Sequence, residues 1–159
     1  MILKYYGHSF FTLTLENGSM IAFDPYGAFY EYPRRLLRAD VCLISHHHFD
    51  HDGLTCLEPG AEVIDAPGAR ELACGASILG VPTFHDGQGG AQRGKNTFFI
   101  VEAEGLRVGH AGDLGHLPTR AQVAQIDRLD LLLLPVGGYY TIDAAQALEV
   151  RELLRPTVM

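Results

Sequence analysis

The stretch Ser45-His46-His47-His48-Phe49-Asp50-His51-Asp52 constrains this chain more than any other. Four of its eight histidines fall within six residues there, with two carboxylates beside them. Neutral imidazole nitrogens and ionised carboxylates are the usual ligands of borderline divalent ions such as zinc. Gathering them without a cation sets titratable groups against one another with little to offset their desolvation. The preceding residues, Ala39-Asp40-Val41-Cys42-Leu43-Ile44, read as a short buried strand. The fold must therefore deliver the cluster to the end of a sheet, where functional loops collect.

A chain of 159 residues fits one domain with a substantial core. Hydrophobic residues make up 47% and charged residues 19%, a globular composition. The net charge of −7 gives no electrostatic reason to expect nucleic acid or an anionic membrane as partner. Cys42, Cys56 and Cys74 are too scattered for a disulfide framework or a CxxC metal site and suit a reducing compartment. The N-terminal residues show no signal-peptide pattern, and the chain lacks an apolar run of about 18 residues. The expectation is a cytoplasmic protein with no membrane segment.

The pattern along the chain is β-rich. Phe10–Leu15 alternates, Glu16-Asn17-Gly18-Ser19 signals a hairpin, and Met20–Phe23 is a short apolar strand ending at Asp24-Pro25. Asp24 either starts a turn, the stronger reading from local sequence, or orients a nearby ligand. The segment Tyr26–Arg38 reads as a surface loop with a short helix. Its Tyr26, Phe29, Tyr30 and Tyr32 either wall a substrate pocket or pack as a satellite cluster.

Gly60–Gly68 reads as strand and turn, and Ala76–Phe84 as a strand ending at His85-Asp86-Gly87. A lone histidine is more often structural, but beside a ligand cluster His85 becomes a candidate metal ligand. Gly89–Asn96 nearly matches the phosphate-binding GxxxxGK[ST] loop. Asn96 stands where a hydroxyl is needed, and Thr97–Glu102 reads as a strand where a helix is required, so a nucleotide-binding loop is rejected. Arg93 and Lys95 remain candidates to meet an anionic substrate.

A turn at Glu104-Gly105 joins Thr97–Glu102 to Leu106–Val108, leading to Gly109-His110-Ala111-Gly112-Asp113. Asp113 lies beside glycine, where a tight turn can bring its carboxylate inward. Thr119 has capping-box spacing to Gln122, so a short helix should begin there. Asp130–Val136 reads as a buried strand. Asp143 should cap a last helix with Ala147, Val150 and Leu154 on its inner face, stopped by Pro156. Thr157-Val158-Met159 reads as the beginning of a strand.

His46-x-His48-x-Asp50-His51 can serve two ions. Residues two apart in an extended segment project to one side, so His46 and His48 can share one. A following turn can direct Asp50 and His51 to a neighbouring position. A helical HExxH motif fails, since His48 occupies the Glu position when the motif starts at His47. His47 and Asp52 drop out of the expected ligand set.

Ser45-His46-x-His48-x-Asp50-His51, then His85, then Gly112-Asp113 resemble the metallo-β-lactamase-fold superfamily. Gly7-His8-Ser9-Phe10, Asp24-Pro25, His110–Asp113 and Leu134–Tyr139 resemble the branch of ascorbate-6-phosphate lactonase and related hydrolases. The resemblance implies an α+β fold, a four-layer αββα sandwich, with metals at one edge of two sheets. It implies His46, His48 and His85 on a first ion, Asp50 and His51 on a second, and Asp113 bridging them. Asp50 would also hydrogen-bond the nucleophilic water. Two ions about 3.5–4 Å apart can bring the pKa of a shared water toward neutrality. Zinc is the expected metal, two ions in a complete site, with manganese or iron as alternatives.

The family pattern continues past the last helix to a strand bearing another second-site histidine, whereas this sequence reaches Met159 before one. The expectation is a single domain lacking its terminal strand or strands. The second site is then short of a ligand unless His110 or His116 supplies it, and an unfinished sheet edge is open to a second copy of the chain. The expected activity is hydrolysis of a small ester, lactone or phosphate ester by metal-activated hydroxide; any anionic substrate would have to be attracted by the metals and by Arg93 or Lys95. A di-iron redox enzyme and a non-enzymatic metal-binding protein are the alternatives.

Overall fold

The computed structural model of the chain describes residues 1–27, 32 and 36–159. Its strands form two mixed five-stranded sheets. They belong to two units, residues 1–66 and 67–159.

In the first unit, Ile2–Gly7 (β1), Phe10–Thr14 (β2), Met20–Phe23 (β3), Val41–Leu43 (β4) and Glu62–Ile64 (β5) lie side by side in chain order. The β1–β2 and β2–β3 pairs are antiparallel; β3–β4 and β4–β5 are parallel. The hairpin expected between β2 and β3 forms. Gly18 takes φ 86°, and the Asn17 carboxamide oxygen accepts the Ser19 N–H at 2.9 Å. Every residue of β4 is buried, the pattern of a central parallel strand covered on both faces. Beyond it, Ile44 N–H donates to the Ile64 carbonyl, so the chain leaves the sheet as it enters the histidine cluster.

The core of this unit joins Phe10, Ala22, Cys42, Ile44 and Tyr26. Tyr26 takes the packing role: its ring meets Phe10 edge-on at 5.4 Å and Tyr32 at 4.9 Å. The expected short helix, Phe29 and Tyr30 fall largely or wholly on residues 28–31 and 33–35, outside the described residues.

The second unit orders its strands β10-β9-β8-β7-β6. These are Gly68–Glu71 (β6), Ser77–Phe84 (β7), Lys95–Ala103 (β8), Leu106–His110 (β9) and Leu131–Leu133 (β10). β6 went unanticipated; all four of its residues are exposed, so an edge strand leaves no hydrophobic period to read. β8 lies at the sheet centre, is buried almost throughout, and follows the glycine-rich loop as a strand, consistent with rejecting a nucleotide loop. β10 is shorter than the expected Asp130–Val136, and Pro135 has no N–H to extend the ladder.

Two helices flank these strands. Arg120–Ile126 (α1) starts from a complete Thr119/Gln122 capping box, and Ala144–Leu154 (α2) from an Asp143/Gln146 box. Each cap contributes about 1 kcal/mol. The apolar face of α2 buries Ala147, Val150 and Leu154 against a core that includes Phe98, Ile100 and Leu132. After Arg155 turns left-handed at φ 47°, Val158 makes an isolated parallel bridge to Leu131, and the strand expected from Thr157 extends no further than that one pairing.

Candidate metal centre

The ligand cluster of the first unit is built outward from a buried carboxylate. Asp24 ends β3 in a tight turn at φ 41°, and its side chain has no solvent exposure. Its oxygens accept the Ser45 N–H at 2.7 Å, the Ser45 hydroxyl at 2.6 Å and the His51 Nδ1–H at 3.0 Å. Local sequence favoured the turn reading. The structure adds the orienting role, because the parallel β3–β4 pairing sets the Asp24 carboxylate beside Ser45.

Those bonds fix tautomers. A proton on His51 Nδ1 leaves Nε2 with its lone pair, and a second-sphere carboxylate also raises that nitrogen's basicity. Ser45 donates to Asp24, so its oxygen accepts from His46 Nδ1 at 2.9 Å. His46 thereby presents Nε2 as well, 3.0 Å from His48 Nδ1. One buried aspartate thus organises two histidines, directly and through a serine.

The turn expected after His48 is present. The His51 and Asp52 N–H groups both donate to the His48 carbonyl, at 2.8 and 3.1 Å, folding Asp50 and His51 back toward the cluster. Gly53 holds the turn against the chain following Asp24: a Cβ there would meet Gly27 N at 2.2 Å and Tyr26 C at 2.3 Å. His46 and His51 lie with ring centroids 4.3 Å apart. His47 turns outward, with Nε2 3.1 Å from Asp65 and Nδ1 3.5 Å from Asp52.

The second unit assembles the other two expected residues. His85 Nε2 stands 3.1 Å from Asp113 Oδ2, with both side chains largely buried. Gly115 permits this approach, since a Cβ would come within 2.3 Å of His85 C and Asp86 N. Asn96 then fixes Asp113. Its carboxamide oxygen accepts the Asp113 N–H at 3.0 Å, while its nitrogen donates to Thr83 Oγ1 at 2.7 Å and the Ala111 carbonyl at 2.9 Å. Asn96 was read only as a failed phosphate-loop position; no local pattern shows that its partners lie across neighbouring strands.

Asp86 organises the adjacent loop. Its carboxylate accepts N–H groups from Gln88, Gly90, Gln92 and Arg93 at 2.8–2.9 Å. These bonds, that from Arg93 foremost, lower its pKa to about 2. The Arg93 guanidinium lies over the Tyr140 ring at 4.6 Å. His116 is engaged by the backbone at both nitrogens: Nε2 accepts the Phe84 N–H and Nδ1 donates to the Leu117 carbonyl. It is therefore removed from the candidate ligands. His110 is buried at the end of β9.

Sequence reasoning quoted His8 only as part of a motif. The structure places it with Asp50 and His51, its Nε2 3.3 Å from Asp50 Oδ2. The available signal was a histidine directly after a glycine at the β1–β2 reversal, where Gly7 and His8 both take positive φ.

The donor set fits a borderline divalent ion: neutral imidazoles held by second-sphere acceptors, with carboxylates beside them. A family model described as a β-lactamase superfamily domain matches residues 2–159. The chain belongs to the β-lactamase superfamily. A UPF0173 metal-dependent hydrolase of Carboxydothermus hydrogenoformans is 31% identical, over 98% of this chain and 81% of its own length. Among solved structures, a Thermotoga maritima protein described as a candidate Zn-dependent hydrolase of the metallo-β-lactamase superfamily is 42% identical. It has a TM-score of 0.79 and covers 97% of this chain and 71% of that one. Igni18, a metallo hydrolase from Ignicoccus hospitalis, is 29% identical with a TM-score of 0.74, covering 98% and 79%. The α+β metallo-β-lactamase fold implied by the sequence motifs is the fold of this superfamily member.

Proposed function

We propose that this metal-dependent hydrolase of the metallo-β-lactamase superfamily holds its metal on His46, His48, Asp50, His51, His85 and Asp113. Its substrate class is a small ester, lactone or phosphate ester. The observation that supports this reading best is the Asp24–Ser45–His46 and Asp24–His51 network, which directs two Nε2 lone pairs by tautomer rather than by chance rotamer. When bound, divalent ions such as zinc lower the pKa of water toward neutrality and polarise an attacked carbonyl or phosphoryl oxygen. The chain's own residues do the remaining work. Asp50 accepts a hydrogen bond from the attacking water and aims it, while Asp24 keeps the flanking imidazoles in register.

Anionic substrates suit the loop after His85. Its shape is pinned by Asp86, and Arg93 is held over Tyr140 as a preorganised cation. The net charge of −7 favours a small molecule over nucleic acid as partner. No described helix is long and apolar enough to cross a membrane. Cys42, Cys56 and Cys74, scattered along the chain with no CxxC pair, suit a reducing compartment and so a cytoplasmic protein.

The test pairs elemental analysis of protein purified without chelator with hydrolysis of nitrophenyl acetate, a lactone and a nitrophenyl phosphate ester. Zinc or manganese with chelator-sensitive hydrolysis supports the reading. Iron with no hydrolysis favours the redox alternative. Absence of bound metal, with unchanged activity in His48→Ala, rejects the reading outright.

A further inference from the structure

We propose that His8 is a metal ligand, completing with Asp50 and His51 a two-histidine, one-carboxylate face for a single divalent ion. The inference rests on the metal-dependent reading above and assigns a ligand from outside the expected set. One candidate ligand atom from each of the three residues lies within 4.8 Å of the others. Two ligand atoms, each about 2.0–2.1 Å from a tetrahedral zinc, stand about 3.3 Å apart. The His8 Nε2 to Asp50 Oδ2 separation is 3.3 Å.

Each member is aimed by a different cause. Asp24 holds His51 Nδ1, leaving Nε2 as the ligating atom. The His48 turn carries Asp50. His8 is aimed by the backbone: it follows Gly7 at φ 107° and itself takes φ 52°. A non-glycine residue with positive φ is uncommon and points to a constraint at that position. The conformation brings its ring edge-on to His51, with centroids 5.0 Å apart. At 28% side-chain exposure, His8 is reachable by an ion entering from solvent yet partly shielded from competing water.

An imidazole beside a carboxylate is also explained by a hydrogen bond that merely steadies Asp50. The experiment separates the two roles. The full chain, stripped with chelator, is titrated with cobalt(II) and followed by its visible spectrum. Parallel titrations use His8→Ala, His8→Cys and, as control, His47→Ala. We expect His8→Ala to weaken one cobalt equivalent by at least about tenfold and to change the d–d spectrum, while His47→Ala matches the wild type. His8→Cys should restore binding and add a thiolate-to-cobalt charge-transfer band, which only direct ligation produces. Circular dichroism of each variant confirms folding. Weakened binding in His8→Ala with no charge-transfer band in folded His8→Cys overturns the ligand assignment in favour of support for Asp50. Unchanged affinity and spectrum in His8→Ala overturns it as well, leaving the broader reading standing. If the wild type binds neither cobalt nor zinc, the functional reading fails and the inference fails with it.

Discussion

Asp24 Oδ2 lies 3.0 Å from His51 Nδ1, and neither side chain is exposed to solvent. The same carboxylate binds Ser45 twice, so its replacement orphans three buried donors at once. An orphaned buried donor costs about 1–3 kcal/mol, and loss of an outer-sphere partner lowers metal affinity about 10–100-fold. Asp24→Asn preserves volume but puts an amide donor where a second acceptor is needed. We expect weaker zinc binding by that factor in chelator competition and a lower urea midpoint. Zinc affinity equal to the wild type would remove Asp24 from the site.

Asn96 joins three strand-end segments through one carboxamide. Asn96→Ala leaves the Ala111 carbonyl without its donor and releases the Asp113 N–H from its acceptor. Two buried partners left unmet predict a loss of about 2–4 kcal/mol. Asn96→Asp tests specificity, since its carboxylate still accepts from Asp113 but cannot donate to Ala111. Because that carboxylate is buried with an oxygen facing the Ala111 carbonyl, we expect Asn96→Asp to be at least as destabilised as Asn96→Ala in denaturant unfolding. Equal stability of all three would show that the network contributes nothing.

The contrast between Asp24 and Asn96 shows how much was legible. Alternation, turn residues and capping pairs follow local periods, so the β2–β3 hairpin and both capped helices could be read from short windows. His46, His48, Asp50 and His51 were legible because they crowd one stretch. Asp24 acts through Ser45 and His51, 21 and 27 residues away, and Asn96 through Thr83 and Asp113. These partnerships depend on strand register, which no short window reports. β6 was hidden for a different reason: its stability comes from backbone pairing with β7, and its side chains carry no buried pattern.

The cysteines differ in reactivity for a physical reason. Burial, with the Asp24 charge adding to it, pushes the Cys42 thiol up to about 12. Thiolate is the reacting species, so Cys42 should be inert in the folded chain. Cys56 is buried and donates to the Tyr26 carbonyl, whereas Cys74 is only partly buried. Iodoacetamide at pH 8 should therefore label Cys74 first, with Cys42 and Cys56 labelled only in urea, as read by peptide mass spectrometry. Early labelling of Cys42 in folded protein would contradict its buried placement.

The loop from Asp86 to Gly94 supplies the pH dependence. Asp86 is held near pKa 2, against an ordinary value of 3.8, because its ionised form accepts backbone N–H groups, with Arg93 contributing most. A depressed carboxylate stabilises the folded state fully above its unfolded pKa and loses that contribution as pH falls through the folded one. The window is therefore about pH 4 down to about 2. Chelator-treated protein isolates this effect from metal release. Protection factors of the Gln88, Gly90, Gln92 and Arg93 amides, measured against the intrinsic exchange rate at each pH, should fall across that window in the wild type. Asp86→Asn retains one accepting oxygen where four donors converge, so those amides should already exchange faster at neutral pH and show a smaller acid step. Parallel acid profiles for the two proteins would mean that the loop is held by something other than the Asp86 charge.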